Sequence, residues 1–162
     1  EPVWREFVDR YPDLKSASVA SEASFLSVLN PLGLKWRAKL IKNLVQTLYE
    51  EDRVPVEKEE LLSLPGVGEY VASAFLSLHA GKREVIIDAN VVRWICRMIG
   101  EKYDGETRRQ PWLKELADLL TPARIFRDYN YAVLDFTMNV CSIKPSCESC
   151  PVSSHCAYSS GI

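Results

Sequence analysis

Four cysteines crowd the end of this chain in the run Cys141-x5-Cys147-x2-Cys150-x5-Cys156. A C-x-x-C step between two further cysteines converges easily on one metal centre, because four soft thiolates then reach a common point from one short segment. The count of four suits tetrahedral zinc or a [4Fe–4S] cluster, and the spacing by itself does not choose between them. Disulfides are the weaker reading, since no secretory h-region precedes the cysteines. The fifth cysteine, Cys96, lies on an apolar helix face and reads as core. His155, beside Cys156, reads as a surface residue rather than a fifth ligand, and His79 ends a helix without an evident partner.

A second candidate site lies in Leu64-Pro65-Gly66-Val67-Gly68, between helical stretches at Val56 to Ser63 and Glu69 to Ala80. Glycines at 66 and 68 let the backbone turn tightly and leave no side chain to block a close approach. The following helix opens at Gly68–Glu69, so its first amides and the positive end of its dipole point at whatever lies before it. A phosphate oxygen fits there, with affinity and register but no base specificity. A purely structural helix–turn–helix corner is the alternative, since P-G-x-G alone is common.

These residues need elements to hold them, and the periodicity is helical almost throughout. Trp36, Leu40, Leu44, Val45 and Leu48 form one apolar stripe, and Val71, Ala74, Phe75 and Leu78 a second. Val91, Trp94, Ile95, Met98 and Ile99 form a third; Trp112, Leu113, Leu116, Leu119 and Leu120 a fourth; Phe126, Val133, Phe136 and Val140 a fifth. Glycine and proline fall between the stripes, at Asn30-Pro31, Gly33, Pro55, Gly81, Gly100, Gly105 and Thr121-Pro122. Val85-Ile86-Ile87 is the one strand-like run and is too short to build a sheet. The expected fold is all-α with short connections.

A length of 162 residues, 47% of them apolar, allows one domain or two small lobes with a real core. No apolar run approaches the ~20 residues a membrane span needs. The net charge of −2 does not advertise nucleic acid. Arg93, Arg97, Lys102, Arg108, Arg109, Lys114, Arg124 and Arg127 do gather in the middle of the chain, and most of them read as solvated helix faces.

Leu64-Pro65-Gly66-Val67-Gly68-Glu69-Tyr70-Val71-Ala72, then Val85 through Arg93 with Asp88-Ala89-Asn90 at its centre, then the four cysteines, resemble the endonuclease III superfamily. These are helix–hairpin–helix DNA glycosylases with a [4Fe–4S] cluster, and the resemblance runs from about Asn30 to Tyr158. It implies that Cys141, Cys147, Cys150 and Cys156 hold such a cluster, and that Pro65, Gly66, Val67 and Gly68 meet the DNA backbone. Asn30-Pro31-Leu32-Gly33-Leu34, Asp88-Ala89-Asn90, Arg127-Asp128-Tyr129-Asn130 and Leu134-Asp135-Phe136 are most similar to the thymine-DNA mismatch glycosylases, which remove T or U opposite G. So is Tyr70, where bifunctional members place an imine-forming lysine and the adenine-specific branch usually has serine. A phenol of pKa about 10 forms no imine, so the resemblance implies a monofunctional enzyme that leaves an abasic site.

Asp88 then stands where the family keeps its catalytic aspartate. Cleaving an N-glycosidic bond develops positive charge on the sugar, and a nearby carboxylate stabilises that charge and orients or activates water. Asp88 also reads as the N-cap of a helix from Ala89 to Ile99, and the two roles are compatible. Tyr70 is implied to line the pocket that receives the extruded base. The first cysteine interval is five where the family usually has six, which leaves Lys144 as the one basic residue of that loop for backbone contact.

The chain opens on Glu1-Pro2 and passes straight into what reads as the middle of an amphipathic helix. The expectation is that N-terminal helices of the family are missing, supplied by a longer chain or a partner. A helical DNA-binding and catalytic lobe is expected over 1–120, with the helix–hairpin–helix at 56–80, and a C-terminal helix with the iron–sulfur segment over 121–162. The implied partner is double-stranded DNA carrying a mismatched or damaged base, bound by a monomer inside the cell, in the cytoplasm and nucleoid or the nucleus, with no membrane. Two other readings stay open: an adenine glycosylase acting opposite 8-oxoguanine, and a non-catalytic helix–hairpin–helix DNA-binding module.

Overall fold

The computed structural model describes residues 2–33 and 35–161. Glu1 and Leu34, which figure in the sequence readings of the chain start and of the Asn30–Leu34 segment, lie outside the described residues. The described residues form helices and turns with no β-strand, as the periodicity predicts. None of these helices is long and apolar enough to cross a membrane. The chain divides into two compact units, Glu1–Gly68 and Glu69–Ile162.

In the first unit, α1 (Pro2–Arg10), α2 (Leu14–Ser18), α3 (Glu22–Leu29), α4 (Arg37–Glu51) and α5 (Lys58–Ser63) follow one another through tight turns. Each early turn has a local cause. Asp13 and Ser16 cap α2 reciprocally, and Ser21 caps α3 by accepting from the Ser24 amide. The helices α2 and α3 pack on α4, and α1 packs on α3. Their core is aromatic: Tyr11 and Phe25 lie 4.9 Å apart between ring centres, with Phe7 5.2 Å from Tyr11. Trp36, expected to head the α4 stripe, is instead 64% exposed, with the Arg37 guanidinium 4.9 Å above its ring. Helix α4 buries Ala38 and Val45, so its inward face is centred on those two rather than on position 36.

The second unit is built around α7 (Ala89–Ile99), which packs against α8 (Pro111–Leu120), α9 (Phe126–Asn139) and α10 (Ala157–Ser160), while α6 (Glu69–Leu78) packs on α9. Val91, Val92, Ile95 and Cys96 of α7 meet Leu113 and Ala117 of α8 in one core. The strand-like run Val85-Ile86-Ile87 is a loop that feeds the same core, with Ile86 buried. The stripe expected on α9 has a polar centre: Asn130 and Thr137 are its fully buried residues. Asn130 Nδ2 donates to Ser77 Oγ at 2.8 Å and to the Glu84 carbonyl at 2.9 Å, which pins the loop leading to Asp88. Arg83 holds that loop from the other side, through Asp118 Oδ1 at 2.7 Å and the Thr121 carbonyl at 2.9 Å.

Candidate functional site

Helix α7 begins and ends by local rules. Asp88 is its N-cap, in extended conformation, and Gly100 closes it in the left-handed region at φ 80°. The Asp88 carboxylate is held at both oxygens. Oδ1 accepts from the Asn90 and Val91 amides, each at 2.8 Å, and Oδ2 accepts from Asn90 Nδ2 at 2.8 Å. A carboxylate has roughly four lone-pair sites, so three are used and one, on Oδ2, is left over. The group is half-buried and rotationally fixed, as a preorganised electrostatic partner should be.

Tyr70, in the first turn of α6, is 44% exposed. Burial of the rest of the ring, and then the negative charge of Asp88, push its hydroxyl above the ordinary 10.0. The two candidate catalytic residues therefore sit within electrostatic reach of each other. Tyr70 stays a neutral phenol throughout the physiological range.

The hairpin glycines do different work. Gly66 has φ +76°, and a Cβ there would meet Leu40 Cβ at 3.1 Å, so both its backbone angle and its packing on α4 demand glycine. Gly68 has no positive φ, and a Cβ there would meet nothing within 4 Å. Its missing side chain leaves open space rather than relieving strain. The Val67 amide closes the turn on the Leu64 carbonyl at 3.2 Å. Pro65 and Val67 are half-buried, with Gly66 and Gly68 exposed.

The four motif cysteines line a single cleft, open to solvent, together with Trp94, Arg97, Phe136 and Tyr158. All are free thiols; Cys141 is buried and the other three are half-buried. Among the described residues, no three His, Cys, Asp or Glu side chains gather closely enough to hold a metal ion. Four thiols on one cleft match a four-thiolate centre in chemistry and number. His155 is not among the cleft residues and pairs with Ser154 Oγ at 2.9 Å. Cys96 is fully buried in the α7 core, where burial and then Glu101 push its thiol upward. His79, without a partner in the sequence reading, lies 6.2 Å from the Phe75 ring. Lys144 is exposed, and its carbonyl accepts from Ser142 Oγ at 2.7 Å inside the short cysteine loop.

Two arginines that share the basic stretch are not solvated helix faces. Arg93 is 7% exposed; its Nε and Nη2 donate to the Cys141 carbonyl at 3.1 and 2.9 Å, and Nη2 also reaches the Thr137 carbonyl at 2.7 Å. Its Nη1 donates to Asn90 Oδ1 at 2.9 Å, and Asn90 in turn holds Asp88. A continuous hydrogen-bonded chain therefore joins the Asp88 carboxylate to the backbone of the first cysteine. Arg97, one turn on, donates to the Ser142 and Ile143 carbonyls at 2.6 and 3.1 Å and lies 3.6 Å from Cys141 Sγ, with its guanidinium 4.8 Å over the Tyr158 ring. The signal available in the sequence was the i, i+4 spacing of Arg93 and Arg97 on a strongly amphipathic helix. What they face comes from residues more than forty positions away.

The helix–hairpin–helix motif matches residues 50–78. The thymine/uracil-DNA glycosylase of Pyrobaculum aerophilum is 35% identical over 162 residues, covering 94% of this chain and 70% of that protein. A thermostable thymine-DNA glycosylase of known structure superposes with a TM-score of 0.87 at 31% identity, covering 99% of this chain and 76% of that one. Endonuclease III in a non-covalent complex with DNA shares the fold, with a TM-score of 0.85 at 21% identity over 99% of this chain and 75% of that one. The chain belongs to the helix–hairpin–helix DNA glycosylases of the endonuclease III superfamily, on the side of the thymine/uracil-DNA glycosylases.

Proposed function

We propose that this chain is a monofunctional DNA glycosylase of base excision repair that releases thymine or uracil mispaired with guanine. The observation that carries the reading is the Asp88 carboxylate, locked at a helix cap with one free lone pair and beside the neutral Tyr70 phenol. As the N-glycosidic bond lengthens, positive charge grows on the sugar. A fixed carboxylate stabilises that charge without having to reorient, and its free Oδ2 lone pair takes a proton from, or orients, the attacking water. Tyr70 offers a ring face to the extruded base, and extrusion costs less from a mismatch. It has no amine, so the reaction ends at the abasic site without strand cleavage. Pro65 to Gly68 contact a backbone phosphate through their turn, and Lys144 is a further candidate backbone contact from its exposed loop.

Cys141, Cys147, Cys150 and Cys156 would hold the [4Fe–4S] cluster, whose iron–thiolate bonds staple the last segment of the chain. Arg93 and Arg97 prepare that segment by binding its carbonyls. The test is single-turnover base release from duplexes carrying G·T, G·U and A·8-oxoguanine, for wild type and Asp88→Asn. Release of T or U that vanishes in the mutant, with no strand break before alkali, is expected. Release of adenine instead would move the chain to the adenine-specific branch. Binding to all three with no release would make it a DNA-binding module.

A further inference from the structure

Trp94 Nε1 is a buried nitrogen without a hydrogen-bond acceptor. A buried indole N–H normally finds one, and leaving it unpaired is unfavourable. The ring that carries it packs edge-on against Phe136, 6.0 Å between centres, and both rings line the cysteine cleft. The nearby Arg93 and Arg97 guanidinium groups hold the carbonyls of Thr137 and Cys141 to Ile143, and Arg97 Nη1 also lies 3.6 Å from Cys141 Sγ. The orphaned donor thus belongs to a side chain that lines the same cleft as the four free thiols.

We propose that Trp94 Nε1–H donates to a sulfur of the iron–sulfur group held by the four cysteines, making Trp94 the residue that tunes that group from α7. This rests on the cluster assignment above. An N–H···S bond favours the electron-richer state of the centre, because it stabilises negative charge on sulfur, so it raises the reduction potential. It also makes α7 a common support: its N-cap is Asp88, and its next turns carry Arg93, Trp94 and Arg97 toward the cysteine segment.

The experiment compares full-length wild type with Trp94→Phe, which keeps a ring against Phe136 and removes only the donor. Iron and acid-labile sulfide are assayed first; their absence from the wild type overturns the cluster assignment and this inference together. With the cluster present, the Fe–S stretching bands of the wild type should shift in D2O, by resonance Raman, and shift less in Trp94→Phe, whose midpoint potential should move to a more negative value. Equal isotope shifts and equal potentials overturn the inference and leave the cluster standing. Should the variant fail to fold, indole-15N labelling of the wild type reads the same hydrogen. A Trp94 resonance displaced by the paramagnetic centre supports the bond, and one at the ordinary indole position overturns it.

Discussion

Helices α6 and α7 begin in opposite ways. Helix α6 opens directly after Gly68, which has no side chain to cap it, whereas α7 opens on Asp88, whose carboxylate takes up its first amides. A helix start that follows a glycine has no side-chain cap at that residue to compete with an outside anion. A capped one has spent its first amides, and what it presents instead is a carboxylate held in one orientation. The contrast sets the proposed phosphate contact at one start against a fixed carboxylate at the other, and the two candidate catalytic residues, Tyr70 and Asp88, sit one at each start.

The largest test of this contrast is Asp88→Asn. Asparagine still caps, so the melting temperature should hardly move, while single-turnover base release should fall by about 10³-fold or more as the charge is lost. If release survives, Asp88 is only a cap. Asp88→Ala should add about 1 kcal/mol of destabilisation to the same catalytic loss, visible in denaturant titration.

Arg93→Gln comes next. It strands the Cys141 and Thr137 carbonyls and unhooks Asn90, so unfolding free energy should drop on the order of 2–4 kcal/mol, with base release slowed in the fraction that stays folded. Full stability would mean that the chain from Asp88 to Cys141 carries no load.

The glycines divide the hairpin's roles. Gly66→Ala should cost about 1–2 kcal/mol in thermal unfolding, from its φ of +76° and the 3.1 Å approach to Leu40. Gly68→Ala should leave stability unchanged, since its Cβ would enter open space, yet weaken duplex binding several-fold by standing where a phosphate must approach. Equal affinity for Gly68→Ala and wild type would make the turn a structural corner.

The smallest effect is electrostatic. Tyr70 should titrate above 10.0 by ultraviolet difference spectroscopy, and Asp88→Asn should bring it part of the way back, burial being the larger cause. Because the folded-state value is raised, the stability Tyr70 contributes is complete below 10.0 and is lost as pH rises through its folded pKa. No change in Asp88→Asn would separate the two residues.

Much of the site was legible in the residues. The limits of α7 follow from an aspartate at one end and a left-handed glycine at the other, and the Gly66 turn follows from backbone sterics alone. The hairpin helices were read slightly long: α5 starts at Lys58 rather than Val56, and α6 ends at Leu78, with Gly81 at φ +68° just beyond. Burial of polar groups was not legible. Asn130 and Thr137 are the most buried residues of α9; Asn130 finds a partner, Ser77, that only packing supplies, while the Thr137 hydroxyl donates to the Leu134 carbonyl of its own helix. Within the basic stretch, most of which reads as solvated, Arg93 and Arg97 are held by carbonyls that only packing brings to them.

The sequence by itself determined the helical class, the capped start of α7, the glycine turn and the four thiols, since each depends on neighbours within a few residues. Only the tertiary structure decided which side of α7 meets the cysteine segment, and with it the hydrogen-bonded chain from Asp88 to Cys141 and the unpaired nitrogen of Trp94. The physical reason is distance along the chain. A helix periodicity says that a face exists, but what covers it arrives from residues 44 to 48 positions away, and only the folded chain brings them there.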